Sequence, residues 1–68
     1  MAKRISSAQF LKIITAQGFV FISQAGSHAK FRNLEGKTVI VPHPRKEFPI
    51  GTLRSMIRQT ELPKELFN

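Results

Sequence analysis

Residues 19–41 read Phe19-Val20-Phe21-Ile22-Ser23-Gln24, Ala25-Gly26-Ser27, His28-Ala29-Lys30-Phe31-Arg32, Asn33-Leu34-Glu35-Gly36, Lys37-Thr38-Val39-Ile40-Val41. Three runs rich in aromatic and β-branched residues are separated by two short segments containing glycine. Such runs favour the pleated backbone, and the glycines mark turns. Strands are therefore expected over 19–24, 28–32 and 37–41, the last ended by Pro42, which cannot donate to a ladder. Loops this short join antiparallel neighbours. In 28–32 the side chains alternate, placing Ala29 and Phe31 on one face and His28, Lys30 and Arg32 on the other. The first run is apolar on both faces, so it is expected to be a well-covered strand.

Working outward, Ser6 and Gln9 have the S-x-x-Q spacing of a capping box, and Ile5 and Phe10 fall where a hydrophobic staple would sit. Phe10, Ile13 and Ile14 share one helical face, and Gly18 suits a left-handed C-terminal cap. The expected helix is Ser7 to Gln17. After the third strand, His43-Pro44-Arg45-Lys46-Glu47-Phe48-Pro49 is a stiff basic loop. Pro49 is suited to open a helix, and Ile50, Leu53, Met56 and Ile57 recur at helical spacing. Leu62-Pro63 ends that helix, and residues 64–67 are expected to add one turn. The order is α-β-β-β-α, an α+β fold with both helices packed on one face of a three-stranded antiparallel sheet.

The chain has 68 residues, the size of a single domain over 1–68. It has no cysteine, which removes disulfides and thiolate zinc. The opening residues Met1-Ala2-Lys3-Arg4-Ile5 run into a polar stretch, and no apolar run has the length of a signal peptide or membrane span. A soluble, cytoplasmic protein is expected. Eleven Lys and Arg stand against four acidic residues, a net charge of +7. Lys30, Arg32, Lys37, Arg45, Lys46, Arg54 and Arg58 cluster between residues 30 and 58, opposed there by Glu35 and Glu47. A polyanion is the natural partner for such a field, in preference to an acidic protein.

The row His28, Lys30, Arg32 suits a phosphodiester, with neighbours about 6.5–7 Å apart. Lysine and arginine neutralise the phosphates, and histidine can move a proton near neutral pH. RNA supplies its own nucleophile, the 2′-hydroxyl, so no metal or other cofactor is expected. Two histidines without Asp or Cys make a poor metal site and no catalytic triad. The bland alternative is that His28 is an idle polar residue beside a turn. His43 is read as a loop residue in preference to an acid/base partner. Ser27 can contact phosphate or simply close the turn. Lys46 in the basic loop and Arg54 and Arg58, four apart on the second helix, are candidate phosphate contacts or a solvated surface. Phe48 is read as a core anchor rather than a stacking platform.

Gly18-Phe19, Gly26-Ser27-His28, Phe31-Arg32, Gly36, Val41-Pro42 and Gly51-Thr52-Leu53-Arg54, followed by Ile57-Arg58-Gln59, together resemble the HicA (YcfA-like) toxin family. The resemblance runs from the first helix to Leu62. It implies a double-stranded-RNA-binding-domain-like fold and a ribosome-independent mRNA interferase, with the catalytic histidine at His28. It also implies a HicB-type antitoxin that covers the active site, in a heterotetramer or larger complex that reaches operator DNA only through the antitoxin. Two positions depart from the family pattern. Ala29 stands where a basic or polar residue often follows the histidine, and Asn33-Leu34-Glu35-Gly36 replaces a His-Pro-Asp-Gly-like turn. A non-catalytic double-stranded-RNA-binding module with the same fold is the alternative.

Overall fold

The computed structural model describes residues 5–67. The reading of the opening residues as free of a leader falls largely on residues 1–4, outside that range. The elements are α1 (Ser7–Ala16), β1 (Val20–Ala25), β2 (His28–Arg32), β3 (Thr38–Pro42), α2 (Ile50–Thr60) and a single 3₁₀ turn (Lys64–Phe67). The α-β-β-β-α order and the antiparallel sheet β1-β2-β3 are those that the turn spacing predicts.

The start of α1 follows from its first residues. Ser6 is the N-cap: its hydroxyl accepts from the Gln9 N–H at 3.2 Å, and the Gln9 side chain accepts from the Ser6 N–H at 2.9 Å. This satisfies N–H groups that the first helical turn would leave without partners. Gln17 closes α1, and Gly18 follows with φ +96, a left-handed conformation that costs glycine little. Between β1 and β2 the turn is Gly26-Ser27, with Ala25 opposite His28. Gly26 has φ +58 and Ser27 lies outside the positive region, the pattern of a type II′ hairpin. β3 runs one residue further than expected, through Pro42, which is tolerated because β3 is an edge strand.

The core lies between the sheet and the helices. Phe10 and Ile14 of α1, Ala29 and Phe31 of β2, Val39 and Val41 of β3, and Leu53 and Met56 of α2 are all buried. Phe48 and Phe67 join them, so Phe48 is a core anchor. Phe10 stacks on Phe67 with ring centroids 5.1 Å apart and meets Phe48 edge-on at 6.1 Å. Such aromatic pairs add about 0.5–1.5 kcal/mol each beyond the area they bury.

One expectation is overturned. β1 is not well covered: all six of its residues are exposed, with Val20 at 58%, Phe21 at 57% and Ile22 at 43%. Two helices on one face cover β2 and β3, and β1 is left as the free edge. A register shift between Phe21 and Ser23 makes Ile22 a bulge residue, which explains the apolar residues on both faces. Phe21 still touches the core's margin, edge-on to Phe31 at 5.7 Å. The opposite edge is partly closed, since the Gln59 side chain of α2 accepts from the Ile40 N–H at 3.4 Å.

The turn at 64–67 is more than an appendage, because Phe67 is 1% exposed and stacked on Phe10. Replacing Phe67 with alanine is expected to cost about 3–5 kcal/mol, as for other buried aromatics. Leu34→Ala, at a fully exposed position, is expected to stay within about 0.5 kcal/mol. Urea unfolding followed by circular dichroism compares the two.

Candidate functional site

The open face of the sheet is set by strand alternation and register. His28, Lys30 and Arg32 of β2 point away from the helices, since Ala29 and Phe31 between them are buried. Their cross-strand partners are Ala25 and Pro42 for His28, Ser23 and Ile40 for Lys30, and Val20 and Thr38 for Arg32. A central cationic row is thus flanked by small and apolar residues. His28 and Arg32 are exposed and Lys30 is half-buried. The Arg32 Nε–H donates to Thr38 Oγ1 at 3.4 Å, which steadies the guanidinium across the strands.

His28 stands at one end of this row, directly after the type II′ turn. At that end the chain is tied together by three contacts. The His43 N–H donates to the Ser27 carbonyl at 2.8 Å, extending the β2–β3 ladder past its last strand pair. The Gln24 amide donates to the Gly26 carbonyl at 3.0 Å and to the His43 carbonyl at 3.3 Å, bridging the hairpin turn and the β3–α2 loop. The third contact comes from α1. Ser7 is 1% exposed, its N–H donates to the Arg45 carbonyl at 2.9 Å, and its hydroxyl accepts from the Arg45 N–H at 2.8 Å. The same hydroxyl meets His43 Nδ1 at 2.7 Å and donates to the Arg45 carbonyl at 3.1 Å.

His43 is therefore more than a loop residue. It is half-buried, with one ring nitrogen engaged by a buried hydroxyl. Ser7 was legible only as the first residue of a helix. Its spacing to Phe10 and Ile14 puts it on the buried face of α1, and that is the signal that marks it.

The predicted site residues do not share one surface. Ser27, His28, Lys30 and Arg32 lie on the hairpin and the open face. Lys46 is exposed in the β3–α2 loop, and Arg54 and Arg58 are exposed on α2, in the layer on the other side of the sheet. The two groups lie on opposite sides of the sheet. Lys37 is committed elsewhere: its ammonium lies 2.9 Å from Glu61, whose hydrogen bond and charge raise its pKa above the usual lysine value. Among the described residues no three His, Cys, Asp or Glu side chains form a metal-binding group. Nor is any helix there long and apolar enough to cross a membrane.

A basic α-β-β-β-α domain with an exposed histidine beside its hairpin turn defines the class: a small α+β fold with an open, cationic sheet face. Over residues 7–62 the chain matches the family described as HicA toxin of bacterial toxin-antitoxin. The chain belongs to the HicA toxin family, and so to the toxin side of toxin–antitoxin systems. A comparison with curated proteins finds no match.

The cationic row makes a quantitative demand. If an RNA backbone lies along β2, Lys30→Ala and Arg32→Ala each remove about one released counterion. Each is then expected to flatten the slope of log affinity against log salt by about 0.7–1. Fluorescence anisotropy with a labelled RNA oligonucleotide across a salt series measures this.

Proposed function

We propose that this toxin is a ribosome-independent mRNA interferase, a cytoplasmic endoribonuclease that needs no metal and uses His28 in acid/base catalysis. The observation that carries the reading is the position of His28. It stands exposed at the start of β2, held by the hairpin pairing Ala25 with His28, and it heads a row continued by Lys30 and Arg32. Strand pairing on both sides fixes the backbone of His28, and the row beside it suits phosphates. His28 takes the proton from the 2′-hydroxyl, which attacks the adjacent phosphorus. A well-placed group of this kind contributes about 10²–10⁴-fold.

RNA then reaches the site around the end of the sheet. Ser27, Lys30 and Arg32 contact it on the open face, and Lys46, Arg54 and Arg58 contact it on the helix side. The whole of residues 1–68 acts as one catalytic domain. Cleavage of mRNA inhibits translation and growth until a HicB-type antitoxin covers the site, in a heterotetramer or larger complex. The antitoxin, not this chain, contacts operator DNA. The uncovered apolar strand β1, beside the cationic row, supports a protein partner for this face.

Two measurements test the reading. His28→Ala is expected to lose about 10²–10⁴-fold in RNA cleavage while keeping its fold and its RNA affinity, and to leave growth unaffected on expression. If His28→Ala cleaves as wild type, His28 is not the catalytic group. If the wild type binds duplex RNA and never cleaves it, the chain is an RNA-binding module instead.

The partner is tested by melting temperature. A saturating antitoxin is expected to raise it, because binding to the folded state alone stabilises that state by mass action, by about 2.7 kcal/mol at a hundredfold excess over Kd. Equal melting temperatures with and without the antitoxin would remove the partner assignment.

A further inference from the structure

Deepening the ribonuclease reading above, and resting on it, we propose that His43 is the second catalytic group. It is the acid that protonates the leaving 5′-oxygen, and buried Ser7 is its positioning residue. Attack by a 2′-hydroxyl needs two proton transfers, one from the nucleophile and one to the leaving group, and His28 performs the first. Of the side-chain types gathered at this end of the sheet, imidazole is the one that exchanges a proton near neutral pH.

The backbone puts the two rings in complementary places. His28 is paired with Pro42, and the next contact along the ladder is from the His43 N–H to the Ser27 carbonyl at 2.8 Å. His28 and His43 are thus one step out of register at the same strand ends. Consecutive positions on a strand face opposite ways. His28 belongs to the open face, and His43 turns to the helix side, where its Nδ1 meets Ser7 of α1. In phosphoryl transfer the attacking and leaving oxygens lie roughly in line through phosphorus. A base and an acid must then approach the phosphate from opposite sides. A phosphodiester crossing the end of the sheet meets His28 on one side and His43 on the other.

Ser7 holds the His43 ring by one nitrogen. A hydroxyl has one proton to donate and two lone pairs that accept. The Ser7 hydroxyl donates to the Arg45 carbonyl at 3.1 Å and accepts from the Arg45 N–H at 2.8 Å. The same hydroxyl meets His43 Nδ1 at 2.7 Å, and with His43 as an imidazolium Nδ1–H donates to it. This leaves Nε2, which has no hydrogen-bond partner among the described residues, as the nitrogen that gives and takes the proton. Ser7 is itself too buried, at 1% exposure, to act as a nucleophile.

The step balances. The 2′-oxygen forms a bond to phosphorus as its proton passes to neutral His28. The bond from phosphorus to the 5′-oxygen breaks, and that oxygen takes the Nε2 proton of the His43 imidazolium. The products are a 2′,3′-cyclic phosphate, a 5′-hydroxyl, imidazolium at His28 and neutral His43 in its Nδ1–H form.

The test compares ordinary RNA with RNA carrying a 5′-bridging phosphorothiolate, whose thiolate leaves without a proton. His43→Ala is expected to cleave ordinary RNA about 10²–10⁴-fold more slowly than wild type and the phosphorothiolate at close to the wild-type rate. His28→Ala stays slow on both. Ser7→Ala is expected to lower kcat with little change in KM and to show the same rescue, which a merely structural defect would not. His43→Ala as active as wild type on ordinary RNA, or equally impaired on both substrates, overturns the proposal and leaves His28 untouched. A wild-type protein that cleaves neither substrate removes the ribonuclease reading as well. Imidazole ¹⁵N spectra of the unsubstituted protein give a check independent of variant folding. An Nδ1–H tautomer at His43 whose Nε2 signal moves on adding 2′-O-methyl RNA is expected, and an unmoved signal overturns the assignment.

Discussion

A chain of this length has apolar area enough to cover one face of a small sheet, and it covers that face incompletely. Phe10, Ile14, Leu53, Met56 and Phe67 close over Ala29, Phe31, Val39 and Val41, and the covering stops at β2. The open face carries a central row of polar and charged residues flanked by small and apolar ones, because a fully apolar second face would need another layer. His28 and Arg32 can therefore stand exposed to water on either side of the half-buried Lys30. The same shortage of covering elements leaves Val20, Phe21 and Ile22 exposed on β1. The open cationic face and the uncovered strand share this physical cause.

The second constraint is the junction of α1 with the β3–α2 loop. Ser7 exchanges two backbone hydrogen bonds' worth of capacity with Arg45, through its N–H and its hydroxyl, while the same hydroxyl meets His43. These groups are separated by about half the chain, so the contact forms only when the sheet and α1 are both in place. Removing the hydroxyl would leave the Arg45 N–H without its partner, at a cost of about 1–3 kcal/mol where such a group is buried. The aromatic contact of Phe10 with Phe48 lies beside it and holds the far side of the same loop. The loop is basic and polar in composition, but it is tied down at His43, Arg45 and Phe48.

Much of this was legible in residue order. The capping box at Ser6 and Gln9, the glycine stops, the span of β2 and the outward direction of His28 all come from local rules that act over a few residues. The coverage of β1 was not legible. An apolar run reads the same whether a helix covers it or a bulge splits it, and the difference lies in how far two helices extend across three strands. Phe67 was hidden for a similar reason: one turn after a proline carries no periodicity, and its burial depends on Phe10. At the site, His28 was marked by its strand and its turn, whereas the tie from Ser7 to His43 spans 36 positions and belongs to no local pattern. Arg54 and Arg58 were legible as an exposed pair, but their layer relative to β2 was fixed only by packing.

On the proposed reading, the placing of cations on both faces of the sheet bears on how an RNA would be held. A ligand lying flat on the sheet would meet Lys30 and Arg32 but would leave the helix-side cations unused. One crossing the strand ends would use both sets and would bend sharply at the hairpin turn. Single-stranded RNA bends there at low cost, while a continuous duplex is a stiff rod whose grooves are read by shape. On the proposed reading, the narrow end of a three-stranded sheet would then favour a flexible strand over a duplex. The fold's likeness to duplex-binding domains describes its architecture. The two histidines are placed by different means, His28 by strand alternation and His43 by a buried hydroxyl.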